Sequence, residues 1–189
     1  MIFITYILFF LILGFFVIVL PLFLVLTIES LFRGHDLPTS RRAMRALAST
    51  IQRYNPTAKI FYDLGCAHGT LSLRLKKNLP CFEITAIDNS AIRIFYAKLK
   101  SKTLRRKINF QKRDIFTTDL RNADVVYAYL WYDHMPILEK KLQKELKQGA
   151  LVITNTSHFQ DWQPTEKVVT YPKVSKTPDF ETLFVYVKK

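Results

Sequence analysis

A glycine-containing turn between a predicted strand and a predicted helix is the feature that most constrains this fold. An apolar strand over residues 59–64 runs into a turn that contains Gly65 and Gly69, and an amphipathic helix follows. A second strand, 83–87, ends at Asp88. This is the layout of a nucleotide-binding β-α-β unit, in which small residues permit close backbone approach and a carboxylate accepts hydrogen bonds from a ribose.

The rest of the chain extends this unit into an open sheet. Further strands are predicted at 108–113, 124–130 and 150–155, with helical patterns after the first two parallel strands and after the fourth. Two later β-prone runs, 167–171 and 180–187, are predicted to close the sheet as an antiparallel pair. We therefore predict an α/β fold with a doubly wound, mostly parallel seven-stranded sheet.

Two of the predicted helices allow more specific predictions. The helix after the second strand is predicted to form an apolar stripe of Ile92, Phe95, Tyr96 and Leu99. The helix after the fourth strand is predicted to end with Gly149 in the C′ position. Thr39 or Ser40, and later Asn89 or Ser90, are predicted to cap helix N-termini.

The N-terminus predicts a membrane anchor. Residues 2–28 contain no charged side chain, and a bilayer core requires about 20 apolar residues. No basic residue precedes Arg33 and no small-residue cleavage site ends the run, which favours an uncleaved helix over a signal peptide. We predict an anchor over 1–32 and one domain over 33–189. Basic residues follow the apolar run, so the protein is predicted to be a single-pass membrane protein with that domain in the cytoplasm.

The charge of the predicted domain is strongly positive. All 28 Lys and Arg and 14 of the 15 acidic residues lie after residue 32, for a formal net charge of +14. Such a charge suits nucleic acid, an acidic protein or anionic lipid, and for a tethered domain we expect the lipid surface. Cys66, Cys81 and the four scattered histidines have no ligand spacing, so we predict no metal site.

The glycine turn carries a family resemblance. Asp63 leads the turn to give D-x-G-x-A-x-G, which resembles motif I of class I S-adenosylmethionine-dependent methyltransferases. More specifically, the chain resembles the membrane-anchored protein-lysine methyltransferases that modify the ATP synthase c-subunit or the adenine nucleotide translocase. The segments that carry this second resemblance are 38–39, 126–131, 135–146 and 159–164.

The resemblance implies S-adenosyl-L-methionine as cofactor and a set of site residues. The implied cofactor-binding residues are Asp63, Gly65, Ala67, Gly69, Asp88, Asp114 and Ile115. Tyr129, Trp131 and Tyr132 are implied to face the methyl acceptor as catalytic residues, because aromatic rings suit a desolvated amine or a sulfonium. His68 and Ala67 depart from the family pattern, which leaves the strength of cofactor binding open.

The resemblance also implies the substrate, which is a lysine of a membrane or membrane-proximal protein. Two alternatives remain at this point. One is a methyltransferase of phospholipid or small-molecule amines, and the other is a catalytically silent, membrane-tethered module that only binds S-adenosylmethionine. No Asn-Pro-Pro-Tyr-type motif follows the fourth strand, so we do not expect a nucleic-acid substrate.

Overall fold

The computed structural model of the chain describes residues 2–32, 39–171 and 180–189. The chain divides into two compact units, 1–37 and 38–189, and each is described by itself.

The first unit is helical and apolar. It consists of α1 (Ile2–Gly14), a π-helical segment (Phe15–Val19) and α2 (Leu20–Phe32). The π-helical segment lies just before Pro21, which has no N–H to donate to the preceding turn and so interrupts the regular hydrogen-bond ladder. The stretch Phe3–Val25 has a mean hydropathy of 3.1 and is long and apolar enough to cross a membrane, by length and composition alone.

The second unit is built on the predicted sheet. Its strands are β1 (Ile60–Leu64), β2 (Glu83–Asp88), β3 (Asn109–Lys112), β4 (Val125–Ala128), β5 (Leu151–Asn155), β6 (Glu166–Val169) and β7 (Thr182–Val187). Their order is β3-β2-β1-β4-β5-β7-β6. The first five are parallel, whereas β7 lies antiparallel between β5 and β6. The sheet is therefore mixed, and the prediction of a mostly parallel seven-stranded sheet is confirmed.

Four helices cover the sheet: α3 (Arg41–Tyr54), α4 (Thr70–Asn78), α5 (Ala91–Thr103) and α6 (Met135–Glu145). Leu47 of α3 and Leu75 of α4 pack into one hydrophobic core, and Leu138 and Leu142 of α6 pack into a second. Residues 113–124 connect β3 to β4 without a helix. Part of one sheet face is consequently covered only by a loop.

The apolar stripe predicted on α5 is wrong at Phe95 and Leu99, which are exposed at 64% and 51%, whereas Ile92 and Tyr96 are half-buried. The buried residues of this helix are Ile94, Ala97 and Ser101. Helical spacing alone cannot distinguish the two faces, since both repeat every three to four residues.

The predicted role of Gly149 is also wrong. α6 ends at Glu145, with Leu146 as its C-cap. Gly149 instead has φ +78° in the turn that leads into β5, where its N–H donates to Lys188 O at 2.8 Å. Of the predicted N-caps, Ser40 and Ser90 are confirmed, because each accepts a hydrogen bond from the backbone N–H three residues on.

Candidate functional site

The turn after β1 is held in a left-handed backbone conformation at three positions. Gly65, Ala67 and Gly69 have φ values of +77°, +47° and +70°. The N–H groups of Gly65 and Cys66 both donate to Ile87 O at 2.9 Å, which fixes the turn to the end of β2. A non-glycine residue at positive φ is strained, and such strain concentrates at ligand-binding turns.

The two glycines leave no room for a side chain. A Cβ on Gly65 would lie 2.6 Å from Leu130 Cδ2, and one on Gly69 would lie 2.6 Å from the Phe110 ring. Leu130 follows β4, so the contact at Gly65 brings the turn of β1 against the loop after β4. Residues 129–134, here named the acceptor loop, therefore begin beside the glycine turn.

Replacing Gly69 with alanine is expected to lower the free energy of unfolding by about 3 kcal/mol, since overpacking costs about 1–3 kcal/mol and the left-handed conformation about 1 kcal/mol more. Gly149→Ala is the matched control, because Gly149 also has positive φ but nothing lies within 4 Å of its Cβ position. It should cost only about 1 kcal/mol. Urea unfolding of the full chain in detergent measures both, and equal losses would contradict the steric argument.

Asp63, at the end of β1, is a buried carboxyl with one charged neighbour. It is 2% exposed, and Ser72 Oγ of α4 donates to its Oδ2 at 2.5 Å. Burial, which the hydrogen bond from Ser72 only partly offsets, raises the pKa of Asp63 to about 7, and the negative charge of Asp88 adds to the rise. A cationic group bound next to Asp63 would favour its ionised form.

Asp88, at the end of β2, joins the glycine turn to the start of α5. Its Oδ2 accepts from Ala67 N at 3.0 Å and its Oδ1 accepts from Ser90 N at 2.9 Å. Arg93 Nη1 lies 3.9 Å from Oδ2, and the side chain is 5% exposed. Each carboxylate oxygen can accept more than one hydrogen bond, so both retain capacity for a ligand hydroxyl.

Asp114 and Ile115 follow β3, beside the end of β2. Arg113 N donates to Asp88 O at 3.1 Å, which places the start of their loop beside the end of β2. The Asp114 side chain accepts from Phe116 N at 2.9 Å and is exposed. Ile115 is half-buried and packs against the core under α6. The predicted cofactor-binding residues are thus brought together along one edge, at the carboxyl ends of β1, β2 and β3, here named the carboxyl edge.

The three predicted catalytic aromatics begin the acceptor loop but differ in environment. Tyr129 is half-buried, and burial raises the pKa of its hydroxyl, a rise that the neighbouring Thr156 side chain partly offsets. Tyr132 Oη donates to Thr156 O at 3.0 Å, although the ring is 49% exposed. Trp131 is 55% exposed. The structure therefore brings Tyr129 and Tyr132 together at Thr156, whereas Trp131 faces outward.

A polar network at the same edge was not anticipated from the sequence. Tyr127 Oη lies 2.8 Å from Thr39 Oγ1 and accepts from Asn155 Nδ2 at 3.1 Å. Glu181 is 5% exposed with φ +51°, and its Oε1 accepts from Ser40 N at 2.9 Å. Burial, and to a lesser extent the charge of Glu181, raises the pKa of the Tyr129 hydroxyl. In the sequence, Thr39 was visible as a helix cap and as part of the 38–39 segment of the family resemblance, whereas Glu181 carried no motif.

The geometry fits S-adenosylmethionine. Two glycine positions that a Cβ would fill form a cradle, and Asp88 offers acceptor capacity beside it. Asp63 supplies a second carboxyl that a cationic amine or sulfonium would ionise. Cys66 does not contribute a nucleophile, because burial raises the pKa of its thiol well above the usual value. Among the residues that the structure describes, no three His, Cys, Asp or Glu side chains cluster as metal ligands.

The fold and this site define a class I S-adenosylmethionine-dependent methyltransferase, with S-adenosyl-L-methionine as its cofactor. The ANTKMT methyltransferase domain matches residues 63–166, which is more than half of the 189 residues. The chain belongs to that methyltransferase family.

Individual relatives agree with this assignment. The chain is 27% identical over 130 residues to a protein-lysine N-methyltransferase of Saccharolobus islandicus, covering 68% of this chain and 78% of the relative. It is 30% identical over 73 residues to a release factor glutamine methyltransferase of Bacteroides thetaiotaomicron, but covers only 26% of that relative.

A solved structure shows the same fold. An RNA methyltransferase from Salinibacter ruber in complex with S-adenosyl-L-homocysteine superposes with a TM-score of 0.68, covering 80% of this chain and 93% of the other. The two sequences are 20% identical, so the likeness concerns the fold alone. The predictions of class, enzyme activity and cofactor are confirmed.

Proposed function

We propose that this methyltransferase is anchored in a membrane by residues 1–32 and transfers methyl groups to lysine side chains of a membrane or membrane-proximal protein. The observation that carries the proposal is the position of the acceptor loop. Its aromatic side chains flank Leu130, which contacts the glycine turn at Gly65. The similarity to a protein-lysine N-methyltransferase supports the choice of lysine. Arg41, Arg42 and Arg45, which follow the apolar run, support a cytoplasmic catalytic domain over 33–189.

We assign the cofactor contacts as follows. Asp63 and the backbone of Gly65, Ala67 and Gly69 hold the methionine moiety, whose ammonium and sulfonium are cations. Asp88 accepts the ribose hydroxyls, and Asp114 with Ile115 borders the adenine. S-adenosylmethionine, when bound, supplies an electrophilic methyl group. His68, whose ring lies 6.2 Å from the Tyr96 ring, is assigned a packing role in the turn.

The acceptor amine must lose its proton before it can act as a nucleophile. A lysine has an ordinary pKa of about 10.4 and is charged at neutral pH. The half-buried Tyr129 and the ring of Tyr132 provide a partly desolvated, aromatic environment, which lowers the pKa of an entering ammonium. Glu181, whose N–H donates to Thr156 Oγ1 at 3.1 Å, attracts the charged lysine to this position. Since a carboxylate favours the charged form of a nearby amine, the lowering of the lysine pKa is assigned to the aromatic rings, and the proton leaves to solvent.

Glu181→Gln is therefore expected to raise KM for a lysine-containing acceptor about tenfold, because one hydrogen bond to a charged group contributes about 1.5–3 kcal/mol. The amide oxygen of Gln can still accept the hydrogen bond from Ser40 N, so the melting temperature and the affinity for S-adenosylhomocysteine should not change. Steady-state kinetics with a fixed, saturating cofactor concentration measures the effect.

Glu166→Gln is the matched control for this change. Glu166 lies on β6 and pairs with Arg53 of α3, away from the acceptor loop. An equal rise in KM for Glu166→Gln would show that the effect is not specific to Glu181. A fall in the melting temperature for Glu181→Gln would assign Glu181 a purely structural role.

The substrate class is tested with radiolabelled S-adenosylmethionine and membranes from the source cells. We expect label in protein, and in ε-N-methyllysine after acid hydrolysis. Label in lipid extracts resolved by thin-layer chromatography would instead establish a phospholipid amine as the acceptor. Binding of cofactor without transfer to either fraction would favour a silent binding module.

A further inference from the structure

The segment that enters the catalytic unit is fastened to the carboxyl edge of the sheet. Thr39 is buried, and its hydroxyl is bonded to Tyr127 Oη. Ser40 N donates to the buried carboxylate of Glu181, which immediately precedes β7 beside the end of β5. The chain thus joins the catalytic unit at the edge where the acceptor loop begins, and not at the opposite edge.

The sequence leaves little chain between this point and the apolar span. Ten residues, 29–38, separate Ile28, where the uncharged run ends, from Thr39, and the first four of them belong to α2. A polypeptide spans at most about 3.5 Å per residue and a helix about 1.5 Å per residue, so this link cannot exceed about 30 Å. An anchor in the bilayer would therefore hold the carboxyl edge close to the membrane surface.

The same edge exposes two large aromatic side chains. Trp131 and Tyr132, the third and fourth residues after β4, are 55% and 49% exposed. Tryptophan and tyrosine combine an apolar ring with a polar tip and are enriched at membrane–water interfaces. Their exposure here matches a surface that meets lipid headgroups.

Exposed arginines begin α3 at this edge. Arg41, Arg42 and Arg45 lie within the first five residues of the helix and are all exposed. Cations near a helix N-terminus oppose the helix dipole, so their placement does not serve the stability of α3. Guanidinium groups match phosphate geometry, and each basic residue near an anionic leaflet contributes about 1 kcal/mol of attraction.

We propose that the carboxyl edge rests on the anionic membrane surface through Trp131, Tyr132 and the three arginines of α3, so that the acceptor amine lies at headgroup depth. This inference rests on the membrane anchor proposed above. It narrows the substrate to lysines in the juxtamembrane segments of membrane proteins and disfavours lysines of soluble domains.

A rival surface exists on the outer face of α5. Phe95 and Leu99 are exposed there, and so are Lys98, Lys100 and Lys102. α5 begins after β2 and returns the chain to the start of β3, so these lysines approach the opposite edge of the sheet. The three lysines of α5 can therefore serve as a matched control for the three arginines of α3.

The experiment uses Trp131 as a depth probe. Trp131 and Trp162 are the two tryptophans of the chain, so Trp162→Phe leaves Trp131 as the sole tryptophan, which is excited selectively at wavelengths that the tyrosines do not absorb. The full chain is reconstituted into phosphatidylcholine vesicles that contain phosphatidylglycerol, with or without lipids brominated near the headgroup. We expect the bromines to quench the fluorescence of Trp131 about twofold, because interfacial rings sit at headgroup depth.

Two triple variants test which surface meets the lipid. Changing Arg41, Arg42 and Arg45 to Gln should remove most of this quenching, whereas changing Lys98, Lys100 and Lys102 to Gln should not.

Each outcome decides the proposal. Unquenched Trp131 in a chain that resists alkaline extraction from the vesicles would overturn the orientation while leaving the anchor intact. Extraction of the chain by alkali would overturn the anchor and with it this inference. Loss of quenching only in the α5 variant would assign the lipid contact to the rival surface. Because none of these readouts requires methyl transfer, they are independent of the proposed lysine activity.

Discussion

Asp88→Ala is expected to lower the affinity for S-adenosylhomocysteine more than about 100-fold. The carboxylate lies at the junction of the glycine turn and α5, where both oxygens are held by backbone N–H groups. Each hydrogen bond from a ribose hydroxyl to a charged acceptor contributes about 1.5–3 kcal/mol, and two of them account for a loss of this size. Isothermal titration calorimetry on the full chain in detergent measures it.

The variant also removes the acceptor for Ala67 N and Ser90 N, so its stability must be followed separately. Asp88→Asn retains one acceptor oxygen and should keep most of the stability while still losing most of the affinity. Asp119→Ala is the control, because Asp119 is an exposed carboxylate paired with Arg121 outside this site. Undiminished binding by folded Asp88→Asn and Asp88→Ala proteins would refute the assignment of Asp88 to the ribose.

Asp63→Asn is expected to stabilise the fold at pH 8 by about 4 kcal/mol and at the same time to weaken cofactor binding. The pKa of Asp63 is raised from 3.8 to about 7, mainly by burial. Between these values the unfolded chain has released the proton that the folded chain still holds, so stability falls as the pH rises. A difference of about three pKa units corresponds to about 4 kcal/mol. Asparagine carries no proton to lose, and its oxygen can still accept from Ser72 Oγ.

Melting temperatures of the two proteins at pH 5 and pH 8 test this expectation. The advantage of the variant should be about 2 kcal/mol at the lower pH and about 4 kcal/mol at the higher. Asp161→Asn, a change at an exposed residue, should show no such trend. Affinity of the unmodified chain for the cationic cofactor should rise as Asp63 ionises through about pH 7, and a pH-independent affinity would remove Asp63 from the methionine pocket.

The stability gain and the binding loss have one physical origin. A carboxyl 2% exposed beside a second buried carboxylate is costly to ionise in the free protein. A cation bound next to the ionised Asp63 carboxylate offsets that cost. We therefore interpret Asp63 as a residue retained for binding at the expense of fold stability, in line with the tendency of perturbed pKa values to cluster at functional sites.

Most of the architecture followed from local sequence patterns. Apolar runs bounded by turn residues located all seven strands to within about two residues, a typical uncertainty for element boundaries. The glycine turn was predictable because positive φ and close backbone approach restrict the residue type at single positions, independently of the rest of the fold. The cofactor was implied by the resemblance of that turn, with Asp63 in front of it, to motif I of class I methyltransferases.

The errors arose where a choice depended on packing. α5 offers two faces with similar spacing, and the structure buries Ile94 and Ala97, the latter close to Gly69. Packing also decides the exposure of Trp131, which is 55% exposed, and its role beside Tyr129 stays a prediction. Neither outcome is encoded in periodicity.

What the sequence by itself determined was a nucleotide-binding β-α-β unit, since a strand, a glycine turn and a carboxylate at fixed spacing specify it through local backbone geometry, and the resemblance of the turn to motif I implied the class of protein. Only the tertiary structure decided what surrounds that site. Thr39 and Glu181 are 142 residues apart in the chain, yet the antiparallel return of β7 places Glu181 against Ser40, next to Thr39. Contacts between residues so far apart depend on strand order and register, which arise from the packing of the whole sheet. The local sequence around each residue does not indicate them.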